Sequence, residues 1–486
     1  MIGRLRSPAL PAALALTLLC QRAEGQAFDR SQPPTLGPAP ALSLPPIVER
    51  TLPNGLRVIV VRQTELPLVD LALVVRSGSE ADPAGQAGMA SLMASLLTDG
   101  AGSRSADAIA EQQAYLGVRL SSSASFDRTV VSLHAPTAVL DSALAIFADV
   151  ALRPTFPNAE FDRAKQQRLT ALLQTADRGP AVADRAFNTI VYGDAHPYGR
   201  PTAGVERSVE TITRDAVAAF HGQQFRPDNA FLLVVGDVDV ATISERLSRT
   251  FGQWRASGPA PSVAAASRIP DAAARRIYLV DKPGAAQSSF RIGGVGVPRS
   301  TDDYYALQVL NTVLGGAFTS RLNNNLRETN GYTYGAGSSF AMRREAGPFV
   351  ARAEIVAAKS DSALLEFMKE LAAIRERVPD DELAKAKQYL QLGLPSSFET
   401  TQDISAALSA LALYGIPLTQ PEEEVARIAA VTAEDVQRVA RRYLDPARMA
   451  IVIVGDAAAI EASLRATGIA PVERRDIYGR PIIVPQ

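Results

Sequence analysis

The chain has 486 residues, which is enough for two or more domains. Hydrophobic residues make up 47% of it and charged residues 21%, as in an ordinary soluble globular protein. The chain has 50 basic and 51 acidic residues and a net charge of −1. It therefore lacks the excess of basic residues that is typical of proteins whose main partner is nucleic acid or an anionic membrane.

The first 27 residues have the pattern of a secretory signal peptide. Arg4 and Arg6 form a basic start, and the apolar run 9–19 is too short to span a bilayer. Small residues in 23–25 and 25–27 offer two cleavage sites, between which the sequence does not choose. We therefore expect an exported, periplasmic protein with no membrane span.

The single cysteine, Cys20, lies inside this signal segment. The mature chain would then contain neither a disulfide nor a thiol. Lipidation of Cys20 is the alternative, but Leu19 is larger than the residue that such sites need before the cysteine. The sequence therefore favours a form without a lipid anchor.

The mature chain divides into a proline-rich lead-in, 28–46, and a first half, 47–256. In the first half, alternating or continuous apolar residues predict strands and residues at helical spacing predict helices. The predicted strands are 56–62, 68–75, 128–134 and 230–235, and the predicted helices are 83–98, 106–116, 138–151, 158–176, 180–192, 214–224 and 241–250.

A linker rich in Ala, Pro and Ser, 257–274, leads to a second half, 275–470, and a C-terminal tail, 471–486. The second half repeats the first, because Pro227 and Gly236 recur as Pro446 and Gly455 at one constant offset (446 − 227 = 455 − 236 = 219). Its front also matches, with predicted strands at 276–280 and 288–295 and a helix at 303–314. We expect an α+β fold of two homologous sheet-plus-helices halves in a clam-like molecule, with the functional surface between them.

The stretch 314–340 contains two polar side chains, Arg327 and Tyr334, whose positions indicate a functional role. Phe318, Leu322 and Leu326 recur at i, i+4 and i+8 and predict one buried helix stripe, which ends at Gly331 before a strand to Phe340. Arg327 and Tyr334 would then approach each other, and an arginine fork beside a phenol suits a peptide carbonyl or a developing oxyanion. The alternative from residue types alone is that Arg327 caps the helix and Tyr334 is half buried in a sheet.

The sequences LGGAFTSRL (314–322) and LRETNGYTYGAGSS (326–339) resemble the second half of peptidases of the pitrilysin and insulinase family, known as M16. The loop DAHPYGRP (194–201) is also similar to that family, and the resemblance covers nearly all of the mature chain. In the family an Arg and a Tyr seven positions apart assist catalysis across a cleft. The resemblance therefore implies that Arg327 and Tyr334 are the functional pair.

Family members that cut peptides carry the zinc motif H-x-x-E-H on the first long helix. Here that helix is 85–100, and Ser91, Ala94 and Ser95 stand at the motif positions, expected off the buried stripe of Met89, Leu92, Met93, Leu96 and Leu97. The resemblance puts Ala171 at the third ligand position, with Glu160 or Asp162 as alternatives that would each act alone. Hydroxyls and methyls are not zinc ligands, so we expect no metal in this chain.

Three hypotheses follow. In the first, the chain is the zinc-free subunit of a heterodimeric peptidase, is inactive alone, binds an unfolded peptide, and supplies Arg327 and Tyr334 in trans to an H-x-x-E-H partner that holds the zinc. In the second, it is a scaffold or peptide-binding protein of the same fold. In the third, it is a self-sufficient peptidase with a rearranged metal site, which the scattered His134, His196 and His221 disfavour.

Overall fold

The computed structural model describes residues 37, 41–256, 258, 269–270 and 274–482. The chain divides into two compact units, Met1–Ala39 and Pro40–Gln486, and every helix and strand given below belongs to the second unit. The predicted signal peptide and most residues of the lead-in and the linker lie outside the described residues.

The first half contains eight strands, six of which form one mixed sheet in the order β1-β2-β8-β3-β7-β6. The strands β4 and β5 pair with each other as a small ribbon. Their bounds are β1 (Ile47–Thr51), β2 (Arg57–Arg62), β3 (Leu68–Val75), β4 (Gly100–Ala101), β5 (Arg104–Ser105), β6 (Arg119–Ala124), β7 (Thr129–Pro136) and β8 (Ala230–Gly236).

Eight α-helices accompany these strands, and the periodicity of the sequence located most of them within two residues. The largest difference is the first helix, which begins six residues later than the prediction because Gly88 adopts a positive φ of 99° just before it. The helices are α1 (Met89–Leu96), α2 (Ala106–Leu116), α3 (Leu140–Leu152), α4 (Asn158–Ala176), α5 (Gly179–Tyr192), α6 (Glu206–Thr211), α7 (Arg214–Gln224) and α8 (Val240–Phe251).

The second half contains a six-stranded sheet, eight α-helices and two π-helical turns, Thr312–Gly316 and Asn324–Thr329. Its strands are β9 (Arg276–Asp281), β10 (Gln287–Val295), β11 (Thr333–Phe340), β12 (Pro348–Val356), β13 (Ala450–Gly455) and β14 (Val472–Arg475). Its helices are α9 (Tyr304–Asn311), α10 (Arg321–Asn323), α11 (Ser360–Ala373), α12 (Asp380–Gly393), α13 (Thr401–Leu413), α14 (Gln420–Ala430), α15 (Ala433–Tyr443) and α16 (Ala457–Ala466).

The two sheets share one strand order, which confirms the α+β fold of two related halves. In the order β11-β12-β10-β13-β9-β14, the first five strands correspond to β6, β7, β3, β8 and β2. The sixth position is filled differently, because β1 runs antiparallel to β2 whereas β14 runs parallel to β9. The segment 471–486, expected as a tail, therefore begins with a strand of the second sheet.

Each sheet is covered on its second face by a helix of the other half. Ile404 and Leu408 of α13 are buried against Val74 and Leu233 of the first sheet. In return, Val182 and Phe187 of α5 are buried against the second sheet, in a cluster with Val280 and Val454. Since both faces of both sheets are apolar, neither sheet is complete without the opposite half.

A buried polar cluster also joins the halves. Asp127, in the β6–β7 loop, accepts hydrogen bonds from the Tyr198 hydroxyl at 2.8 Å, the Tyr414 hydroxyl at 3.0 Å and the Arg344 amide at 2.9 Å. The Arg344 guanidinium also donates to Glu80 at 2.5 Å. Burial, reinforced by a hydrogen bond to Asp127, raises the pKa of Glu80 to about 9. Burial opposes it, but hydrogen bonds from Glu80, Arg344 and the two tyrosines lower the pKa of Asp127, so the carboxyl pair holds one proton at neutral pH and Glu80 carries it.

Candidate functional site

The segment that carries Arg327 and Tyr334 is held against the edge of the second sheet by close backbone contacts. Gly315 lies so near β11 that a Cβ added there would be 2.3 Å from the backbone nitrogen of Ser338. Only glycine allows this approach. The π-helical turns on either side of α10 then carry the chain to Gly331, whose positive φ of 65° ends the turn before the strand.

A buried asparagine fixes the position of this segment. Asn323, which is 3% exposed, donates from Nδ2 to the carbonyl of Phe318 at 2.6 Å and accepts at Oδ1 from the amide of Ala336 at 3.1 Å. The side chain therefore ties the turn at Phe318 to strand β11. Sequence reasoning missed it, because the first of three consecutive asparagines gives no signal of burial.

Tyr334 stands at a β-bulge on the edge strand. Thr333 pairs with Ile355 and Ala336 pairs with Ala353, so β11 advances by three residues where β12 advances by two. A bulge of this kind redirects a side chain. The phenol of Tyr334 is 91% exposed, so the alternative of a half-buried sheet tyrosine is wrong for this position.

Arg327 is held beside an exposed phenylalanine. Its guanidinium lies 4.4 Å from the ring centroid of Phe318, in a cation–π contact. Its Nη1 is 3.2 Å from Oε1 of Glu328, yet this nitrogen is shielded from solvent and makes no well-aligned hydrogen bond. The prediction that Phe318 belongs to a buried stripe with Leu322 and Leu326 is wrong, since Phe318 is 66% exposed while both leucines are fully buried.

Arg327 and Tyr334 share one surface segment, and no hydrogen bond joins their side chains within the part of the chain that the structure describes. Their backbones are linked through the turn, where the amide of Gly331 donates to the carbonyl of Arg327 at 3.0 Å and the amide of Tyr332 donates to that of Leu326 at 2.8 Å. The segment therefore offers an exposed phenol and a partly exposed guanidinium as hydrogen-bond donors.

The helix α1 contains the three positions that correspond to the zinc motif. The predicted stripe of Met89, Leu92, Met93, Leu96 and Leu97 is buried, as expected. Ser91 is half-buried and Ser95 is exposed, but Ala94 is 1% exposed, so the expectation that all three lie off the buried face is wrong for Ala94. The Ser95 hydroxyl donates to its own helix, to the carbonyl of Leu92 at 2.7 Å.

An arginine of α4 lies against this part of α1. Arg168 donates from Nη1 to the Ser91 hydroxyl at 2.7 Å and to the carbonyl of Ala203 at 3.2 Å. Burial lowers the pKa of Arg168 while the charge of Asp82 opposes the shift, and burial raises the pKa of Asp82 to about 7. Asp82 caps α1 by accepting from the amides of Gly88 at 2.7 Å and Ala90 at 2.8 Å. Sequence reasoning did not identify Arg168, which lies three residues before Ala171, the position expected for the third ligand.

The expected third ligand position gives no metal-binding group. Ala171 is exposed, and its carbonyl accepts from the Thr175 hydroxyl at 2.7 Å. The alternative Glu160 pairs with Arg163 at 2.7 Å. Two hydroxyls, a methyl group and a guanidinium do not fit a zinc ion, which needs imidazole, thiolate or carboxylate ligands. Across the described ranges, no three His, Cys, Asp or Glu side chains come together as a metal site.

The three histidines lie in separate places with separate roles. His134 contacts Asp70, with Nδ1 2.9 Å from Oδ1. His196 stacks on Tyr192, and burial lowers its pKa. His221 is buried, with Nε2 3.0 Å from the carbonyl of Ala151, and burial lowers its pKa to about 4. In the described part of the chain they do not form a common site.

The fold and this site define a peptidase-like chain whose first long helix, α1, contains no His, Cys, Asp or Glu. Residues 57–204 match the family profile "Insulinase (Peptidase family M16)", and residues 211–390 match "Peptidase M16 inactive domain". A chain named "Uncharacterized zinc protease" from Mycobacterium bovis is 30% identical over 425 residues, which cover 85% of this chain and 94% of that one. A similarly named chain from Rickettsia bellii is 24% identical over 409 residues, covering 83% of this chain and 96% of that one.

Among solved structures, a peptidase M16 inactive domain from Pseudomonas fluorescens has a TM-score of 0.78 and 29% identity, with 85% of this chain and 99% of that chain covered. A protease from Helicobacter pylori shares the fold with the same TM-score at 22% identity, over 85% of this chain and all of that one. The chain belongs to the M16 peptidase family and is of the non-catalytic type. None of its described helices has the length and apolar character needed to cross a membrane.

Proposed function

We propose that this chain is the zinc-free, substrate-binding subunit of a heterodimeric M16 peptidase in the periplasm. The partner would carry H-x-x-E-H and the zinc ion, and the substrate would be an unfolded peptide. The signal segment 1–27 would direct export of the chain. The chain would be inactive alone, because α1 provides neither zinc ligands nor a general base.

The observation that carries the proposal is the exposed phenol of Tyr334 on the same surface segment as the partly exposed Arg327. A 91% exposed tyrosine at a bulge has no evident role in the stability of the second half, and Arg327 of this segment lies against an exposed phenylalanine. Exposed aromatic groups of this kind mark interaction surfaces. Facing a partner's cleft, the phenol and the guanidinium would donate hydrogen bonds to a peptide carbonyl or carboxylate.

Kinetics of the reconstituted complex test this role. The chain is co-purified with an H-x-x-E-H subunit and mixed with a fluorogenic peptide. Tyr334→Phe should lower kcat by roughly 100-fold, since one preorganised oxyanion donor is worth on the order of 3 kcal/mol. Arg327→Ala should both raise KM and lower kcat, because a bidentate fork engages substrate before and during the reaction.

The matched control is Tyr115→Phe on α2, which removes a hydroxyl from a tyrosine that is 89% exposed. It should leave the kinetics unchanged, and subunit affinity should be the same for all variants. If the Tyr334 and Arg327 variants are folded, associated and as active as the unmodified complex, the pair is structural. The scaffold hypothesis then replaces this one.

A further inference from the structure

A polar groove of about 440 Å³ lies between the first sheet and α13. It is separate from α1, which packs on the opposite face of the same sheet. Strand β6 shows this directly, because Ser122 donates to the carbonyl of Ala94 on α1 at 2.5 Å while its neighbours Ser121 and Ser123 line the groove. The groove is therefore distinct from both candidate sites described above.

Two arginines against one aspartate give the groove a net positive charge. Arg119 and Arg128 both line it, and neither has a carboxylate within ion-pair distance among the described residues. Nη1 of Arg128 is buried without a hydrogen-bond partner. Asp70, the acidic residue of the lining, is already engaged by His134 and by the Thr401 hydroxyl. Arginine pairs most strongly with anionic acceptors, so two arginines without a carboxylate partner favour an anionic ligand.

Free hydroxyl groups lie between the two cations. Ser409 of α13 is 3% exposed, and its Oγ has no partner within the described ranges. Ser121, Ser123 and Ser132 line the same groove from the strands. Hydroxyls can donate to or accept from a peptide backbone, and the described lining contains no Phe, Tyr or Trp.

The separation of the arginines indicates the length of the ligand. Arg119 lies opposite His134 in the register, and Arg128 directly precedes Thr129, which lies opposite Ala124. Arg128 lies one residue beyond this pair, so six residues of strand at about 3.3 Å each separate the two arginines, or roughly 20 Å between their Cα atoms along the sheet. An extended peptide with acidic side chains six positions apart presents both on one face of its backbone, where they would meet both arginines.

We propose that this groove binds an acidic peptide segment in an extended conformation, with its carboxylates on Arg119 and Arg128 and its backbone on the serine hydroxyls. The proposal goes beyond the partner-dependent function, since binding needs neither a second subunit nor Arg327 and Tyr334. A failure of one proposal therefore leaves the other standing.

Fluorescence anisotropy on the mature chain alone tests it. The probe is the labelled heptapeptide EGSSSGE, and the comparison peptide is QGSSSGQ, which has the same length without the carboxylates. EGSSSGE should bind at least about 10-fold more tightly, and Arg128→Gln should remove about 10-fold of this affinity, as expected for a charge-assisted hydrogen bond. Arg119→Gln should weaken binding in the same direction, and Ser409→Ala should weaken it by about threefold.

The control variant is Arg207→Gln, which neutralises an exposed arginine of α6 outside the groove. It should bind EGSSSGE as the unmodified chain does, and thermal melts confirm that each variant is folded. Absence of binding, equal binding of both peptides, or an equal effect of Arg207→Gln and Arg128→Gln would each overturn the proposal. Inorganic phosphate that raises the melting temperature through Arg128, without any binding of EGSSSGE, would assign the groove to a small anion instead.

Discussion

Glu80→Gln should make the stability of this chain less sensitive to pH above neutrality. An ordinary glutamate titrates near 4.5, whereas Glu80 in the folded chain has a pKa raised to about 9. Between these values the folded state holds one proton more than the unfolded state, so the free energy of unfolding falls as pH rises. Glutamine keeps a donor towards Asp127 and has no proton to lose.

The magnitude follows from the single proton. Each pH unit within this window costs the unmodified chain up to about 1.4 kcal/mol relative to the variant. From pH 6 to pH 8 the advantage of Glu80→Gln should therefore grow by up to about 2.7 kcal/mol. Asp127, whose pKa is lowered, stays ionised throughout and contributes no slope of its own.

The measurement is urea unfolding at pH 6, 7 and 8 at constant ionic strength. Glu49→Gln is the control, because Glu49 is a half-exposed carboxylate that pairs with Arg57 at 2.8 Å on the surface of the first sheet. It should change stability by the same amount at every pH. Parallel profiles for Glu80→Gln and the unmodified chain would refute the idea that Glu80 and Asp127 share one proton in the folded chain.

Restoring the motif with Ser91→His, Ala94→Glu and Ser95→His should give no stoichiometric zinc by elemental analysis and a lower melting temperature, because Ala94 is buried and α4 presents a guanidinium. His221→Phe should flatten the acid profile. The buried ring has a pKa lowered to about 4, so its contribution to stability falls as pH drops below 6.5, by up to about 1.4 kcal/mol per unit, and urea unfolding should show a stability difference between variant and unmodified chain that changes by this slope from pH 7 to pH 5. Leu408→Ala should cost about 3 kcal/mol and speed amide exchange in α13, since Leu408 is fully buried against the first sheet.

Elements with a regular local pattern could be predicted from the sequence. The helix α4 was predicted with its observed bounds, because polar and apolar residues alternate at helical spacing over five turns. The repeat of Pro227 and Gly236 as Pro446 and Gly455 was also sufficient to predict two related halves. In both cases the information is local or is a simple repetition.

The rest depends on contacts that no local pattern shows. Phe318 has helical spacing to Leu322, yet Gly315 and Gly316 interrupt the helix and turn the ring to solvent. The strand β14 exists because Val472 finds a parallel partner in Ile277, far away in the sequence. Arg168 contacts Ser91 for the same kind of reason. Arg327 and Tyr334 remain predicted site residues whose role the proposed kinetics will decide.

The first sheet is covered by α13, which comes much later in the sequence. The order in which the chain is synthesised therefore affects when the first sheet can fold. Strand β8 completes the first sheet at Gly236, but the helix that covers its second face ends at Leu413. A ribosome makes the intervening residues (413 − 236 = 177) in roughly 9–35 s at about 5–20 residues per second. During that interval the apolar side of β2, β3 and β8 has no cover from its own chain. The growing polypeptide therefore needs a chaperone, or must stay unfolded until its last third has been made.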